Sequence, residues 1–207
     1  MLFGSGTRLK KDLAAEVSAI LAFSAVQNND KVGLLLFTDQ NELFIPPGRG
    51  RGHALRLIRE ILFFRPTSPR TDLAQALRSA IRLQRHRAIM VMLSDFQTPP
   101  FEKDLASAAR KHDLIAMQTL DPVEENLPDV GTIIVEDAES GELLRINTSD
   151  PKVRDQYASR ALEKASALRE VFRSKKVDHL VLRTGMNYIP VLRSFFANRE
   201  RRLSSPA

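Results

Sequence analysis

Cysteine is absent from all 207 residues. Its absence excludes zinc ribbons, iron–sulfur clusters, disulfides and thiol nucleophiles, and makes a reducing cytoplasm the plain expectation. No apolar run approaches the roughly 18 to 20 residues that span a bilayer. The opening Met1-Leu2-Phe3-Gly4-Ser5-Gly6 lacks the charged-then-apolar order of a signal peptide. A soluble chain without a membrane segment is therefore expected. Internal repeats and low-complexity tracts are also missing, which leaves one domain over residues 1–203 and a disordered tail at 204–207. A chain of this size buries roughly 70% of the surface it exposes when unfolded, so it needs neither metal nor disulfide in order to fold.

Catalytic signatures are equally sparse. His53, His86, His112 and His179 show neither metal-ligand spacing nor a serine and acid in triad order, and surface positions are expected for them. Gly48-Arg49-Gly50-Arg51-Gly52 lacks the lysine-serine ending of a phosphate loop, so a flexible basic loop is expected there. The formal charge is +6, which favours acidic partners. The basic residues are nevertheless spread over several helices, with modest concentrations at Arg49–Arg51 and Arg199–Arg202. They are not interleaved with the aromatic residues of a nucleic-acid stacking platform. A solvated surface with no specific nucleic acid is the expectation.

Hydrophobic periodicity supplies the architecture. Leu13, Val17, Ile20 and Leu21 recur at helical spacing between Leu9 and Val26. Val32-Gly33-Leu34-Leu35-Leu36-Phe37 reads as a strand buried on both faces of a parallel sheet. Glu42–Ile45 reads as its short hairpin partner, confined to an edge by Pro46-Pro47. Helices are expected over Ala54–Phe63, Leu73–Leu83 and Phe101–Lys111, with fully buried strands over Ala88–Leu93 and Leu114–Met117. A hairpin insertion at about Val130–Ile146, turning at Glu139-Ser140-Gly141, interrupts the rhythm. A helix over Lys152–Ser174, a strand over Val177–Leu182 and a helix over Ile189–Arg201 complete the pattern. Alternation of strands and helices implies parallel strands with right-handed crossovers.

In such sheets ligands sit beyond the carboxyl ends of the strands. The polar residues placed there are Thr38-Asp39, Ser94-Asp95 and Asp121, with Thr71-Asp72 opening a helix nearby. Thr71 suits either an N-cap, with Asp72 complementing the helix dipole, or a hydroxyl ligand to a hard cation. Asp95 suits either a rim carboxylate or a turn-former.

The order of several short motifs then becomes informative. Asp30–Phe37, Pro46-Pro47 with Gly52-His53, Arg70-Thr71-Asp72-Leu73, Leu93-Ser94-Asp95-Phe96, Lys111-His112-Asp113, Asp121–Glu124 with Leu127-Pro128, and Ser140-Gly141-Glu142 together resemble the bacterial domain of unknown function 58 family over nearly the whole chain. That resemblance implies an α/β, von Willebrand factor A-like (Rossmann-like) doubly wound and mostly parallel sheet with one antiparallel edge strand. It also implies a metal-ion-dependent adhesion site in which Mg²⁺ is held by an Asp-x-Ser-x-Ser motif, a threonine and an aspartate. Thr71 matches the threonine and Asp95 the aspartate, with Asp72 and Asp121 as further candidate oxygens. The first motif is not in the chain. Met1-Leu2-Phe3-Gly4 resembles the residues that follow it, which would put the first central strand and three of the five ligand positions upstream of Met1.

With one carboxylate and one hydroxyl, Mg²⁺ would keep mostly water in its shell, so weak or no binding is expected. In strand order 3-2-1-4-5-6 the absent strand would lie between those beginning at Val32 and Ala88. Those strands should either close on one another, take up residues near Met1, or receive a strand from another chain in a domain-swapped oligomer. The resemblance implies a non-enzymatic protein-interaction module acting with a MoxR-type AAA+ ATPase or its client. The rival readings are a basic nucleic-acid-binding domain and a metal-dependent hydrolase using Asp95 and Asp121.

Overall fold

The computed structural model describes residues 9–136 and 143–204. The chain begins with α1 (Lys10–Gln27), followed by the antiparallel hairpin β1 (Val32–Phe37) and β2 (Asn41–Gly48) and by helices α2 (Arg51–Leu62) and α3 (Leu73–Leu83). Next come β3 (Ile89–Ser94), α4 (Glu102–Lys111), β4 (Asp113–Leu120) and the single turn α5 (Pro122–Glu125). The hairpin β5 (Thr132–Glu136) and β6 (Leu143–Asn147) precedes α6 (Pro151–Ser174), β7 (Asp178–Arg183) and α7 (Ile189–Ser204). The chain is thus an α/β protein with a parallel sheet β3-β4-β7 and two antiparallel pairs, β1-β2 and β5-β6. The hairpin expected at 130–146 is present, and its turn at 139–141 lies outside the described residues.

Strand β4 explains the two-sided core. Its side chains alternate across the sheet, as a pleated strand requires. Leu114 and Ala116 join Leu73 and Leu77 of α3, Leu105 of α4 and Phe172 of α6 on one face. Ile115 and Met117 join Leu13 and Val17 of α1, Leu182 of β7 and Leu192 of α7 on the other. Helices therefore cover both faces, and β4 is buried along almost its whole length.

The strands expected to be fully buried at Val32 and Ala88 are only partly so. The reason lies in their edges. Strand β1 pairs with β2 alone and β3 with β4 alone, so among the described residues each has one edge without a ladder. The two still share a core, since Phe37 of β1 and Met90 and Met92 of β3 pack into the same cluster. Helix α1 packs on Val91 and Leu93 of β3 through the opposite cluster and also lies against β1. Among the described residues the two strands share helices and side-chain clusters and have no direct backbone pairing.

Other expectations need correction. Strand β2 continues through Pro46 and Pro47, which its edge position permits because a proline there forfeits no ladder bond. Gly33 makes this possible: a Cβ on it would stand 2.9 Å from the Ile45 carbonyl oxygen and 3.0 Å from Pro47 N. The glycine-arginine stretch is no flexible loop, because Gly48 ends β2 and α2 already begins at Arg51. Between them Gly50 adopts φ +89°, which glycine tolerates at little cost.

The histidines are not uniformly on the surface. His112 is buried with no hydrogen-bond partner for either ring nitrogen. His53 Nε2 lies 2.8 Å from the Val32 carbonyl oxygen. His179 packs on the Phe172 ring at 4.7 Å. Arg199 is not a solvated charge either. Its guanidinium is buried against Asp113 and Asp178, the first residues of β4 and β7, and so anchors α7 to the amino end of the sheet.

Candidate functional site at the carboxyl rim

The carboxyl ends of β3, β4 and β7 meet the first turn of α1 in one polar network. At the end of β3, the Ser94 hydroxyl accepts from Phe96 N at 3.0 Å, and Asp95 Oδ1 accepts from Gln97 N at 3.3 Å. This turn requires φ +57° at Phe96, in the left-handed region. A non-glycine residue held there costs on the order of 1 kcal/mol or more and persists only where the surroundings over-determine it. The buried Phe96 ring supplies that constraint, with its centroid 6.1 Å from Phe101 and 5.0 Å edge-on from Phe172.

Asp121 follows β4 and is fully buried. Its Oδ2 accepts from the Thr184 hydroxyl at 2.7 Å and its Oδ1 from Val123 N at 3.1 Å. Glu124 answers by accepting from Asp121 N at 2.8 Å, which completes a capping box around α5. Asp121 is thus occupied as a cap and as the link between the ends of β4 and β7.

Lys10 joins these parts. Its side chain is 3% exposed, and its Nζ lies 3.2 Å from Asp95 Oδ2 and 2.9 Å from Glu124 Oε1. Glu124 Oε1 also accepts from Gln97 Nε2 at 2.8 Å. Burial pushes the Lys10 ammonium toward neutrality, but the hydrogen bond to Glu124 and the field of Asp95 outweigh it, so the pKa is raised. Lys10 stays charged. The same Glu124 carboxylate adds to burial in raising the Tyr157 phenol. Tyr157 lines a groove with Leu127, Arg145 and Arg160.

Thr71 and Asp72 reach the rim from α3. The helix cap is Asp72, whose Oδ1 accepts from Gln75 N at 2.8 Å. Thr71 is therefore not the cap, and its hydroxyl makes no hydrogen bond among the described residues. Its carbonyl accepts from the Thr98 hydroxyl at 3.1 Å, and Leu73 N donates to that same hydroxyl at 3.2 Å. Thr98 thereby ties Thr71 to the loop that carries Asp95. On the far side of the gap, Thr38 donates to Glu42 at 2.8 Å, and its carbonyl accepts from Asp72 N at 3.1 Å. Asp39 is engaged by the Thr38 hydroxyl at 3.3 Å.

The sequence reading named Asp95, Asp121, Thr71 and Asp72 but missed Lys10 and Glu124. Both left signals. Lys10 stands three residues before Leu13 and seven before Val17, so it falls on the apolar stripe of α1. Glu124 stands three residues after an N-cap acid, the capping-box spacing.

For the Mg²⁺ that the family resemblance implies, these residues do not fit as they stand. Each oxygen of Asp95, Asp121 and Glu124 already accepts a hydrogen bond, and Asp95 Oδ2 faces an ammonium. No group of three or more histidines and acids is arranged to hold a metal ion among the described residues.

The same architecture recurs in solved structures. A conserved hypothetical protein, BatB, from Bacteroides thetaiotaomicron superposes with a TM-score of 0.60 at 14% identity, and an aerotolerance-related membrane protein from Bacteroides fragilis with 0.64 at 13%. Each likeness covers 97% of this chain and 93% of the other, and at such identities it concerns the fold alone. None of the described helices here is long and apolar enough to cross a membrane. Uncharacterized proteins of Mycobacterium bovis and Mycobacterium tuberculosis (strain H37Rv) are each 31% identical over 202 residues, which is 96% of this chain but 63% of the relative. The chain thus spans under two thirds of the length of those relatives. An uncharacterized Mycobacterium avium protein is 32% identical over 160 residues, 76% of this chain and 94% of that one. The family model described as protein of unknown function DUF58 matches residues 1–167, and the chain belongs to that family.

Proposed function

We propose that this chain is a protein-interaction module of the von Willebrand factor A type and not an enzyme, acting with a MoxR-type AAA+ ATPase in the assembly or maturation of protein complexes. The observation that carries this reading is the state of the rim acids. Asp95, Asp121 and Glu124 accept from donors of the fold itself, among them Lys10, Val123 N and the Thr184 hydroxyl, in an arrangement that ties the strand ends together. A general base must reach the proton it abstracts, and these carboxylates are committed elsewhere. The ladder order supports the fold part of the proposal. The edge hairpin β2-β1 and the parallel set β3-β4-β7 stand in the sequence 3-2, then 4-5-6, of a doubly wound sheet whose central strand would lie between β1 and β3.

The recognition surface in this proposal is the rim around Thr71, Asp72 and Gln97. Surface plasmon resonance between the immobilised chain and the purified MoxR-type ATPase should give saturable binding that Thr71→Arg abolishes. No binding, or binding indifferent to that substitution, refutes the proposal. Two controls address the rivals. Affinity for DNA of any sequence that falls steeply with salt would favour a nucleic-acid module. Turnover of phosphoester substrates with Mn²⁺ would favour a hydrolase.

A further inference from the structure

The chain carries a formal charge of +6, and residues 49–70 hold six arginines against the single acid Glu60. This short segment thus accounts for nearly all of the positive excess. Helix α2 occupies its middle. The inner side of the helix is marked by Ala54 and Leu57, both buried, and α2 packs on α1 and β1. Arg51, Leu55, Arg59 and Leu62 recur at helical spacing on the outer side, and all four are exposed. Arg56 flanks that stripe, and Phe63 stands at its end as the C-cap. Leu62 is 62% exposed and Phe63 77%. Arg59 pairs with Glu60 at 2.8 Å, whereas Arg51, Arg56 and Arg65 have no ion pair among the described residues.

We propose that this outer face of α2 docks on an anionic lipid surface. Leucine, phenylalanine and arginine are interleaved along one stripe, so the partner must take both kinds of side chain at once. The headgroup boundary of a bilayer does so: its acyl side accepts the apolar side chains, and its phosphates and carboxylates accept the guanidinium groups at the ends of their flexible stems. A nucleic-acid backbone would satisfy the arginines and leave the leucines against phosphates. The convex back of a helix gives a folded protein no recess to fill, whereas a fluid bilayer adapts to it. None of the described helices is long and apolar enough to cross a membrane, and the contact proposed is peripheral. It uses none of the rim residues assigned to the ATPase, so the two proposals stand or fall separately.

Co-sedimentation of the full chain with vesicles of phosphatidylcholine alone, and of phosphatidylcholine mixed with phosphatidylserine, tests this. Partitioning onto the mixed vesicles should be at least about tenfold stronger and should fall as salt is raised. Arg51→Glu/Arg56→Glu should lower it by at least about tenfold, since each arginine at such a surface is worth about fivefold. Leu62→Ser/Phe63→Ser should weaken it at unchanged charge. All four positions are exposed, and thermal melts matching that of the unsubstituted chain would show that the variants fold. Equal partitioning onto both vesicles, or none, would overturn the proposal, and so would full binding by either double variant. Salt-sensitive binding to duplex DNA that the arginine variant loses, without vesicle binding, would replace it by a nucleic-acid face. A dimer in sedimentation equilibrium that Leu62→Ser/Phe63→Ser splits, again without vesicle binding, would replace it by a contact between copies of the chain.

Discussion

Lys10 Nζ and Glu124 Oε1 lie 2.9 Å apart, and this contact joins the first turn of α1 to the cap that follows β4, 114 positions further along the chain. Both side chains are largely out of water, at 3% and 16% exposure. Breaking a buried ion pair from one side costs about 3–5 kcal/mol because the other charge is left uncompensated. Lys10→Met should destabilise the chain by that order in urea titrations. Adding Glu124→Gln should cost less than the two single changes together, with a coupling on the order of 1–3 kcal/mol. Strict additivity would mean that the pair carries no energy of its own.

Acid should weaken the fold through the buried imidazole of His112 and the half-buried one of His179. Burial and then the charge of Arg169 pull the His179 pKa down from 6.5 to about 4. Burial, Lys111 and Arg87 lower that of His112. A base with a depressed folded-state pKa binds protons more readily when unfolded, so its contribution is fully present above about pH 6.5 and is lost as pH falls toward 4. At ~1.36 kcal/mol per unit, His179 contributes on the order of 3 kcal/mol before the reduction by whatever solvent reaches the ring. Equilibrium unfolding at pH 7 and pH 5 should show the loss, and His179→Gln should flatten the profile. An unchanged slope in that variant would remove His179 as its source.

Three glycines should respond differently to alanine. Gly52 lies inside α2 with open space where a Cβ would go, so Gly52→Ala should stabilise by about 0.5–1 kcal/mol. Gly50 also has open space, but its φ of +89° makes Gly50→Ala destabilising by about 1 kcal/mol or more. Gly33→Ala should be the worst of the three, because its Cβ meets the rigid backbone of Ile45 and Pro47. Thermal melts of the three variants would check the order, and a stabilised Gly50→Ala would contradict the cap geometry.

The parts of the fold that were legible in the sequence follow from periodicity. The apolar runs of β1, β3 and β4 and the stripes of α1 and α3 are local signals, and the structure keeps their order. Lys10 escaped notice because its partners are distant in sequence: a lysine on an apolar stripe reads as a helix end until Asp95 and Glu124 are brought to it. Thr71 and Asp72 show the limit of cap signals, since both suit an N-cap and only Asp72 reaches the Gln75 amide. His112 looked like a surface residue because nothing nearby indicates that α4 turns directly into the most buried strand. The partial burial of β1 and β3 was misread because an apolar run records the faces of a strand and is silent about its edges.

Those edges bear on how the molecule opens. Hydrogen-bonded ladders normally make a sheet yield as one cooperative unit, whereas local openings follow boundaries where few backbone bonds cross. Here such a boundary runs between Leu34–Leu36 and Met90–Met92, where among the described residues no ladder crosses and the two strands meet through shared side-chain clusters. The β1-β2 ribbon is therefore a unit that can loosen while β3-β4-β7 stays intact, α1 remaining on the parallel sheet through Leu13 and Val17. Amide protons of β1 that point into the boundary should exchange with solvent long before those of β4, although β1 is the more apolar strand in sequence. The crease divides the protein into a slow-exchanging parallel core and a fast-exchanging ribbon that can move relative to it.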